Sequence, residues 1–465
     1  MRLKTSYIFY LAIFLVIQLS CVNEEEVIST DPGYQLTFST DTVAFDTVFT
    51  SIGSVTERFL VRNQNQNSLI IERIYVGDGQ DSPYSITVSG YESNSVENQQ
   101  ILGNDSLLVL VSVKIDPSEE SLPFVVRDSI VFITNGNVQD VKLQSWGQNA
   151  HFIGNAVLDC DTQWVPDLPY FLYGSIIVDS LCELRIEKNV RVFSSFDTFI
   201  FVKGSMVVNG ESDERVIFRN ERLEPQYENI PGQWGGIIFL EGSNNNYFQY
   251  ADIRNVQYGV RLGTPDQDSI PDIILKNVRI ENSAVAGIAA FNSDLLAENS
   301  LINTSSGYVV GNFAGGNYTY NHCTIANFPI TFFNGQAASV ITDNLDLEDG
   351  TNLYNPLHLS ISNSIIWGDF EEEIVLDLLE PNNSQIKTRN SILKTSLNIF
   401  EGDGTLLSTE TDFMQFEDPN NYDYTPDSLS PAINNALGSE MEIDLFGSQR
   451  DSLPDIGAIE YLLNN

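Results

Sequence analysis

Carboxylates are the groups in this chain with the greatest capacity for chemistry, since it carries 63 acidic residues, 23 basic residues and three histidines. One stretch places four of them close together, at Asp343, Asp346, Glu348 and Asp349. Oxygen ligands of this kind suit Ca²⁺, although their spacing is not that of an EF-hand loop. The stretch is therefore a candidate Ca²⁺ site, and the sequence indicates no other cofactor.

Paired acids or a basic residue beside them would point to an enzyme acting on polysaccharide. A lyase needs a basic side chain next to a Ca²⁺-bound uronate, and an inverting hydrolase needs two carboxylates across the scissile bond. Lys276, Arg279 and Arg254 are expected to face outward, where they either meet an acidic glycan or are simply solvated. No complete catalytic set emerges, so the sequence leaves open whether the protein is an enzyme.

The charge and length of the chain limit its expected partners and its number of domains. A formal net charge of −40 repels phosphate backbones, so nucleic acid is not an expected partner. The 465 residues, 42% of them hydrophobic, are enough for two or three domains with real cores. The elements that position the side chains above must therefore be sought in a multidomain chain.

Residues 1–21 have the pattern of an export signal. Arg2 and Lys4 precede an apolar run of about 13 residues, shorter than the roughly 20 that a membrane-spanning helix needs, and Ser20 precedes Cys21. The arrangement resembles bacterial lipoprotein signal peptides, with the departure that Gln18 stands where Leu is usual. The resemblance implies cleavage before Cys21 and lipidation of its thiol. The alternative is an uncleaved anchor helix.

Residues 22–34 are expected to form an acidic tether. Glu24, Glu25 and Glu26 closely follow the cysteine, and this cluster resembles the surface-export signal of Bacteroidota lipoproteins. A solvated charged linker is the alternative. The resemblance implies a protein anchored by lipid to the outer membrane and exposed at the cell surface.

Residues 35–150 are predicted to form a β-sandwich. Short runs rich in Val, Ile, Phe and Thr are separated by Gly, Asn, Asp and Pro, and about seven of them fit a sandwich. The order of Leu60-Val61-Arg62-Asn63, Asp116-Pro117 and Thr134-Asn135-Gly136 resembles immunoglobulin-like domains of the ASH and Hydin type. A spacer or docking role is the default expectation for such a domain.

Residues 151–405 carry an internal repeat, in which an aliphatic residue closes a short strand. A solenoid of parallel β-strands coils once per roughly 20 to 30 residues and stacks equivalent positions about 4.8 Å apart. The repeat therefore predicts a β-solenoid rather than a leucine-rich repeat, whose consensus and helices are missing. A segment at 334–356 interrupts the repeat as an insertion. The closing residues are Ile253, Ile280, Ile302, Ile325, Ile366 and Leu393.

Three positions before the closing residues, a polar column predicts a ladder at one corner. Stacked amides can hydrogen-bond along the solenoid axis, and Asn tolerates the left-handed backbone of a sharp turn. This column resembles the asparagine ladder of right-handed parallel β-helices, which implies that fold. The ladder residues are Asn277, Asn299, His322, Asn363 and Asn390.

Trp234-Gly235-Gly236-Ile237 resembles the N-terminal coils of Bacteroidota β-helix lipoproteins. Cys160 and Cys182 lie about one coil apart, and an oxidising compartment favours a disulfide between them over two buried thiols. Cys323 falls among small residues that should point inward, which predicts a buried free thiol.

Residues 406–465 are expected to cap the solenoid, because its last coil would otherwise expose the core. Ser430-Pro431-Ala432-Ile433 and the run from Asp455 to Tyr461 resemble the ending of choice-of-anchor Q proteins. Arg450 is expected to pair with Asp455 or Glu460 and to close that end.

These features favour an all-β cell-surface lipoprotein in which an immunoglobulin-like sandwich precedes a right-handed parallel β-helix. A non-catalytic binding or structural role, toward polysaccharide or a surface protein, is the expected function. The alternative is a polysaccharide lyase or glycoside hydrolase that acts on acidic polysaccharide.

Overall fold

The computed structural model describes residues 27–54, 56–118, 122–263, 270–328, 336–347, 350–437 and 441–462. The chain forms two compact units that divide between Asn149 and Ala150, where the sequence analysis places its boundary after residue 150. Within the described ranges the elements are strands and short 3₁₀ turns, so the prediction of an all-β chain is confirmed. In those same ranges no helix is long and apolar enough to cross a membrane.

The first unit contains two five-stranded sheets, ordered β1-β3-β8-β5-β6 and β2-β10-β9-β4-β7. Alternating residues of both sheets, among them Val61, Ile74, Ile86 and Phe132, meet in one hydrophobic core. A 3₁₀ turn occupies Gly79–Asp81. The strands are β1 (Thr37–Phe38), β2 (Thr42–Phe49), β3 (Glu57–Arg62), β4 (Leu69–Val76), β5 (Tyr84–Val88), β6 (Tyr91–Ser93), β7 (Ser95–Ile101), β8 (Ser106–Val113), β9 (Phe124–Thr134) and β10 (Asn137–Gln148).

Three of these strands, β2, β6 and β7, are absent from the sequence prediction. The β2 sequence alternates apolar and polar residues, with Val43 and Phe45 buried, and it runs parallel to β10. β7 is polar at most positions, because it is an edge strand that buries only Ile101. A polar edge strand lacks the apolar alternation on which sequence-based assignment depends.

The second unit is built on one 25-stranded sheet, β11 to β37, whose paired strands run parallel. Outside it, β30 and β31 form a hairpin, and so do β38 (Phe416–Asp418) and β39 (Asp423–Pro426). 3₁₀ turns lie at Pro225–Tyr227, Pro381–Asn383, Asn398–Phe400 and Pro419–Asn421. The other strands are β11 (His151–Val157), β12 (Thr162–Trp164), β13 (Tyr170–Val178), β14 (Glu183–Glu187), β15 (Arg191–Ser194), β16 (Phe199–Val202), β17 (Ser205–Asn209), β18 (Val216–Asn220), β19 (Trp234–Phe239), β20 (Asn246–Gln249), β21 (Ala251–Arg254), β22 (Val256–Leu262), β23 (Ile273–Lys276), β24 (Arg279–Ser283), β25 (Ala286–Glu298), β26 (Leu301–Ser305), β27 (Tyr308–Asn321), β28 (Thr324–Asn327), β29 (Ser339–Thr342), β30 (Asn344–Asp346), β31 (Asn352–Tyr354), β32 (Leu357–Ser362), β33 (Ile365–Gly368), β34 (Ile374–Asp377), β35 (Gln385–Arg389), β36 (Ile392–Leu393) and β37 (Leu406–Leu407).

Strand pairing in this sheet repeats every three strands, so the strands fall into three stacks, and one passage through all three is called a coil below. The long strands β25 and β27 each contribute their first half to stack 1 and their second half to stack 2. β11 and β13 each contribute their first half to stack 3 and their second half to stack 1. Stack 1 also contains β16, β19, β22, β25, β27, β29 and β34; stack 2 contains β12, β14, β17, β20, β23, β25, β27, β32 and β35; stack 3 also contains β15, β18, β21, β24, β26, β28, β33, β36 and β37. The predicted long parallel sheet is confirmed.

The interior between the stacks is filled as the repeat predicts. The closing residues occupy equivalent positions in successive stack 3 strands, for example Ile253 opposite Ile280 and Ile280 opposite Ile302. Just before them lies a column of small residues that is also buried, and its serines do more than fill space. Ser300 Oγ accepts the Val278 amide at 3.1 Å, and Ser391 Oγ accepts the Ser364 amide at 3.2 Å.

The predicted insertion at 334–356 is wrong in extent. Its described part begins with β29, which belongs to stack 1 and pairs with both β27 and β34. Only the β30–β31 hairpin leaves the coil. The apolar run of β29 resembles a loop in the sequence because the hairpin that follows it hides the spacing of the repeat.

Candidate functional site

A cluster of aromatic rings and one arginine lies on the outer surface of stack 1. It is called the aromatic patch here and consists of Tyr258, Arg261, Phe291, Tyr308 and Phe313, all of them partly exposed. The rings of Phe291 and Phe313 stack with centroids 5.2 Å apart, and Tyr308 meets Phe313 edge-on at the same distance. The Arg261 guanidinium lies 5.1 Å from the centre of the Phe291 ring.

Strand register explains why these side chains meet. Tyr258 and Tyr308 both pair with Ala286 on the strand between them, and Phe291 pairs directly with Phe313. The patch thus spans three neighbouring coils of stack 1.

The patch rests on small residues. Ala286 and Ala289 are completely buried, and a Cβ at Gly311 would collide with the rings of Tyr308 and Phe313. The rings therefore lie close to the backbone of the sheet, and each remains partly exposed to solvent. Rigid aromatic rings backed by a sheet present apolar area at little cost in conformational entropy.

Arg261 is the one positively charged residue of the patch. Arg261 makes no ion pair within the described ranges, in a chain whose formal net charge is −40. Burial raises the pKa of Tyr308 to about 12, with Tyr258 adding to the shift and Arg261 opposing it. The phenol is therefore protonated at neutral pH and can both donate and accept a hydrogen bond. The patch therefore offers partly exposed rings, hydroxyl groups and a guanidinium, a combination suited to a sugar that carries an acidic group.

The sequence could have revealed the aromatic patch through the alignment of three neighbouring strands, which is information that the assignment of single strands does not use. The segments YGVRL, AGIAAF and GYVVGNF are each identified as a strand. Written in register, they place Tyr above Ala above Tyr, and Phe291 beside Phe313. Aligning the outward positions of these three strands, in addition to the closing residues, would have revealed the patch.

The predicted ladder residues form a continuous column at the corner between stacks 2 and 3. Each has left-handed backbone, with φ of 55° at Asn277, 52° at Asn299, 52° at His322, 47° at Asn363 and 44° at Asn390. The backbone N–H of each of the first four members donates to the carbonyl of the residue just before the next member. Asn299 N, for example, donates to Asn321 O at 2.9 Å. The sharp corner expected of asparagine is therefore present.

The side chains of this column do not hydrogen-bond to one another as the sequence analysis expects. The side-chain amides of Asn277, Asn299 and Asn363 instead donate to the backbone of the C-terminal segment, defined as residues 413–437 and 441–462. Asn277 Nδ2 donates to Asp444 O and Asn299 Nδ2 to Ile443 O, both at 2.9 Å. Asn363 exchanges two hydrogen bonds with Leu437, at 3.3 and 3.1 Å. The column is thus a docking edge for a second piece of chain.

The C-terminal segment lies along the side of stack 3, which corrects the expectation that it closes the end of the solenoid. Its buried residues share a hydrophobic cluster with outward residues of stack 3. A segment that covers one side can bury the apolar outer face that Leu301, Ile365, Trp367 and Ile392 would otherwise expose. The contributing residues of the segment are Met414, Phe416, Tyr424, Ala432, Ala436, Leu445, Ile456, Ala458 and Ile459.

Arg450 is the centre of this docking. It pairs with Glu460 at 2.9 Å and also donates to Asn299 Oδ1 at 2.8 Å. Asp455 takes part through its backbone carbonyl, while its carboxylate accepts the amides of Asn434 and Tyr461. The predicted pairing with Glu460 is present within the segment, and the bond from Arg450 to Asn299 joins the segment to the column.

The predicted basic face is wrong for two of its three residues. Arg279 pairs with Asp252, and Arg254 pairs with Glu281 at 2.9 Å. Lys276 lines a cleft of about 310 Å³ together with Tyr250 and Glu442. The sequence analysis expects these arginines to be exposed because the C-terminal segment, which covers stack 3, is distant from them in the sequence.

The candidate Ca²⁺ residues are not gathered into a site by the described part of the chain. Asp343 is completely buried and accepts the amides of Leu379 and Glu380, while the exposed Asp346 accepts a hydrogen bond from Asn352. Glu348 and Asp349 lie outside the described residues. Asp343 is therefore an anchor for a turn.

Two carboxylates on neighbouring coils escaped the sequence analysis. Asp294 N donates to Asp272 Oδ2 at 2.8 Å, and Asn317 donates to Asp294 Oδ1 at 2.6 Å. Their side chains belong to residues that are only 5% and 6% exposed. A hydrolytic pair must be reached by sugar and water, so this geometry suits stabilisation of a turn.

Cys160 and Cys182 form a disulfide with Cα atoms 4.6 Å apart, and Cys323 is a buried free cysteine. Burial raises the pKa of the Cys323 thiol to about 12, which keeps it protonated and unreactive. Cys21 lies outside the described residues, as does the signal that precedes it.

Comparisons with known proteins add little. No family model matches the chain, and no curated protein matches it. Among solved structures, a family 123 glycoside hydrolase from Clostridium perfringens aligns with 10% identity and a TM-score of 0.17, over 24% of this chain and 25% of the hydrolase. A protein of unknown function from Porphyromonas gingivalis W83 aligns with 10% identity and a TM-score of 0.18, over 27% of this chain and 60% of that protein. Likenesses this slight carry no argument about function.

Proposed function

We propose that the protein is a lipid-anchored surface protein that binds an acidic polysaccharide without cleaving it. The proposal takes Cys21 as the lipidated residue, the first unit as an immunoglobulin-like spacer and the second as a right-handed parallel β-helix that presents the ligand site. Three stacks of parallel strands, a left-handed corner column and short inward residues support the β-helix. The sequence resemblances support the anchor and the spacer.

The aromatic patch is the observation that carries the binding role. Its partly exposed rings offer apolar contact to the carbon face of a sugar, and Arg261 offers a guanidinium to a carboxylate or sulfate. Arg261 already lies over Phe291, so little ordering is needed when a ligand arrives. The buried positions of Asp272 and Asp294 favour binding over hydrolysis.

Retention of the mature chain on immobilised alginate, polygalacturonate and chondroitin tests this proposal. We expect Arg261→Gln and Tyr308→Ala each to weaken retention of the preferred polysaccharide by about fivefold, because each removes a contact worth about 1 kcal/mol. Lys203→Gln is the matched control, since Lys203 is exposed and lies outside the patch. Equal affinity of all four proteins would overturn the proposal.

The same polysaccharides distinguish the enzymatic alternative. A lyase would release unsaturated ends, whose ultraviolet absorbance rises with time when Ca²⁺ is present. A hydrolase would release reducing ends without that absorbance. The proposal predicts neither product, and either product from purified wild-type protein would contradict it.

A further inference from the structure

The sheet β1-β3-β8-β5-β6 of the first unit has an outer face with an unusual composition. Register places Leu60 opposite Leu108 and Arg58 opposite Leu110, while the intervening residues Phe59 and Val109 enter the core. Leu108 is 45% exposed. The centre of this face is therefore a small leucine stripe that nothing within the described ranges covers.

Positive charge surrounds the stripe. Arg58, Arg62 and Lys114 are exposed on this face and make no ion pair in the described part of the chain, whereas Glu92 is the one acid that register assigns to it. The chain as a whole has a formal net charge of −40. A cationic, leucine-centred face in so acidic a protein suits a partner that is both anionic and apolar beneath its surface.

We propose that this face, called the leucine–arginine face, docks on an anionic lipid membrane, the one to which the chain is anchored. The inference rests on the proposed lipidation of Cys21. Val27 is hydrogen-bonded to Ser68, in the loop that follows Arg62 at the end of β3. Five residues stand between Cys21 and Val27, and the six residue steps of a fully extended chain span at most about 20 Å. The anchor therefore holds the face within reach of lipid headgroups.

The positive charge of the leucine–arginine face, rather than the net negative charge of the chain, determines its attraction to the membrane. At physiological salt the screening length is about 8 Å, so acidic residues on remote surfaces contribute little at the headgroups. Arginine and lysine near an anionic surface attract it, and leucines add apolar contact at the interface. Removal of two arginines should lower the docking equilibrium constant by about 30-fold, which corresponds to about 2 kcal/mol.

A fluorescent reporter on the full lipidated chain tests the proposal. Leu108→Cys can be labelled selectively with an environment-sensitive dye, because Cys160 and Cys182 are bonded and Cys323 is buried. The protein is reconstituted into vesicles of phosphatidylcholine with or without phosphatidylglycerol. We expect a blue shift in the anionic vesicles that is smaller in neutral ones, is reversed by high salt and is lost in Arg58→Ser/Arg62→Ser.

Val138→Cys is the matched control, because Val138 is 69% exposed on β10 of the other sheet and should show no shift. Equal emission from the two positions in both kinds of vesicle would overturn the inference. It would also be overturned if the partner is a protein, since pure lipid would then give no shift. Failure of the anchor is a separate result, in which the chain does not float with the vesicles at all.

Discussion

At the residue scale, the left-handed backbone conformation of the corner residues determines where the chain turns between stacks 2 and 3. Asparagine adopts positive φ more readily than most residues, so its spacing in the sequence correctly indicates where the chain turns. The partner of each side chain could not be predicted in the same way. Asn299 and Ile443 are separated by 144 positions, and nothing local to either residue encodes their contact.

Replacement of Asn299 by glycine isolates the contribution of its side chain, because glycine keeps the positive φ without strain. The variant loses the bond to Ile443 O and removes one of the two acceptors of the buried Arg450 Nη2, which keeps only its bond to Gly457 O. We expect the free energy of unfolding to fall by about 2 to 4 kcal/mol, measured by denaturant titration. Asn189→Gly is the control, since Asn189 has φ of 61° and is exposed. Equal losses in both variants would contradict the docking role of the column.

His322 should make the fold sensitive to acid. Burial, reinforced by Arg450, lowers the pKa of its imidazole to about 3, whereas the unfolded chain binds that proton near pH 6.5. Stability from this group is therefore complete above pH 6.5 and is lost progressively as the pH falls toward 3, by up to about 1.4 kcal/mol per pH unit.

His322→Asn should flatten this part of the stability profile, because asparagine suits the corner and does not titrate. The measurement is the free energy of unfolding of both proteins between pH 7 and pH 4. Burial raises the pKa of Asp455 to about 6, and that carboxyl acts in the opposite direction in both proteins, so it cancels in their difference. Parallel profiles would show that His322 is not buried in its neutral form.

At the element scale, the C-terminal segment shows where sequence reasoning reaches its limit. Its resemblance to a terminal motif and the ion pair of Arg450 were visible in the sequence. Its path was not, because the stripe it covers, with Leu301, Ile365 and Ile392 one per coil, occupies positions that a solenoid ordinarily exposes. Apolar residues in an outward column are the physical signal that another element packs there.

Cleavage of the exposed link between Glu410 and Thr411, at an inserted protease site, should leave the segment bound. Burial of Phe416, Tyr424 and Ile456 against stack 3, together with the bonds to the column, holds it without the covalent connection. We expect both fragments to elute together in size-exclusion chromatography and to unfold in one transition. Phe416→Ser in the nicked protein should weaken the association, because it removes a buried ring at a typical cost of about 3 kcal/mol. Separation of the wild-type fragments in native buffer would contradict this arrangement.

At the scale of the whole molecule, the repeat made the all-β class and the long parallel sheet predictable, because each coil obeys the same spacing rule. The aromatic patch was not predicted, since its residues share a surface only after three coils are set in register. Closure of stack 3 by the C-terminal segment has a functional consequence. The segment covers stack 3 and not the outer surface of stack 1, on which the patch lies partly exposed.

Hydroxyl-radical footprinting of the mature protein, with and without its preferred acidic polysaccharide, tests most directly whether the ligand binds the aromatic patch on stack 1. Aromatic side chains report their own solvent access. We predict that the ligand reduces oxidation of Tyr258, Tyr308 and Phe313, while Tyr424, which belongs to the C-terminal segment and is buried against stack 3, stays unreactive in both states. Protection that instead appears at Phe446 or Ile443, with the patch unchanged, would contradict the account.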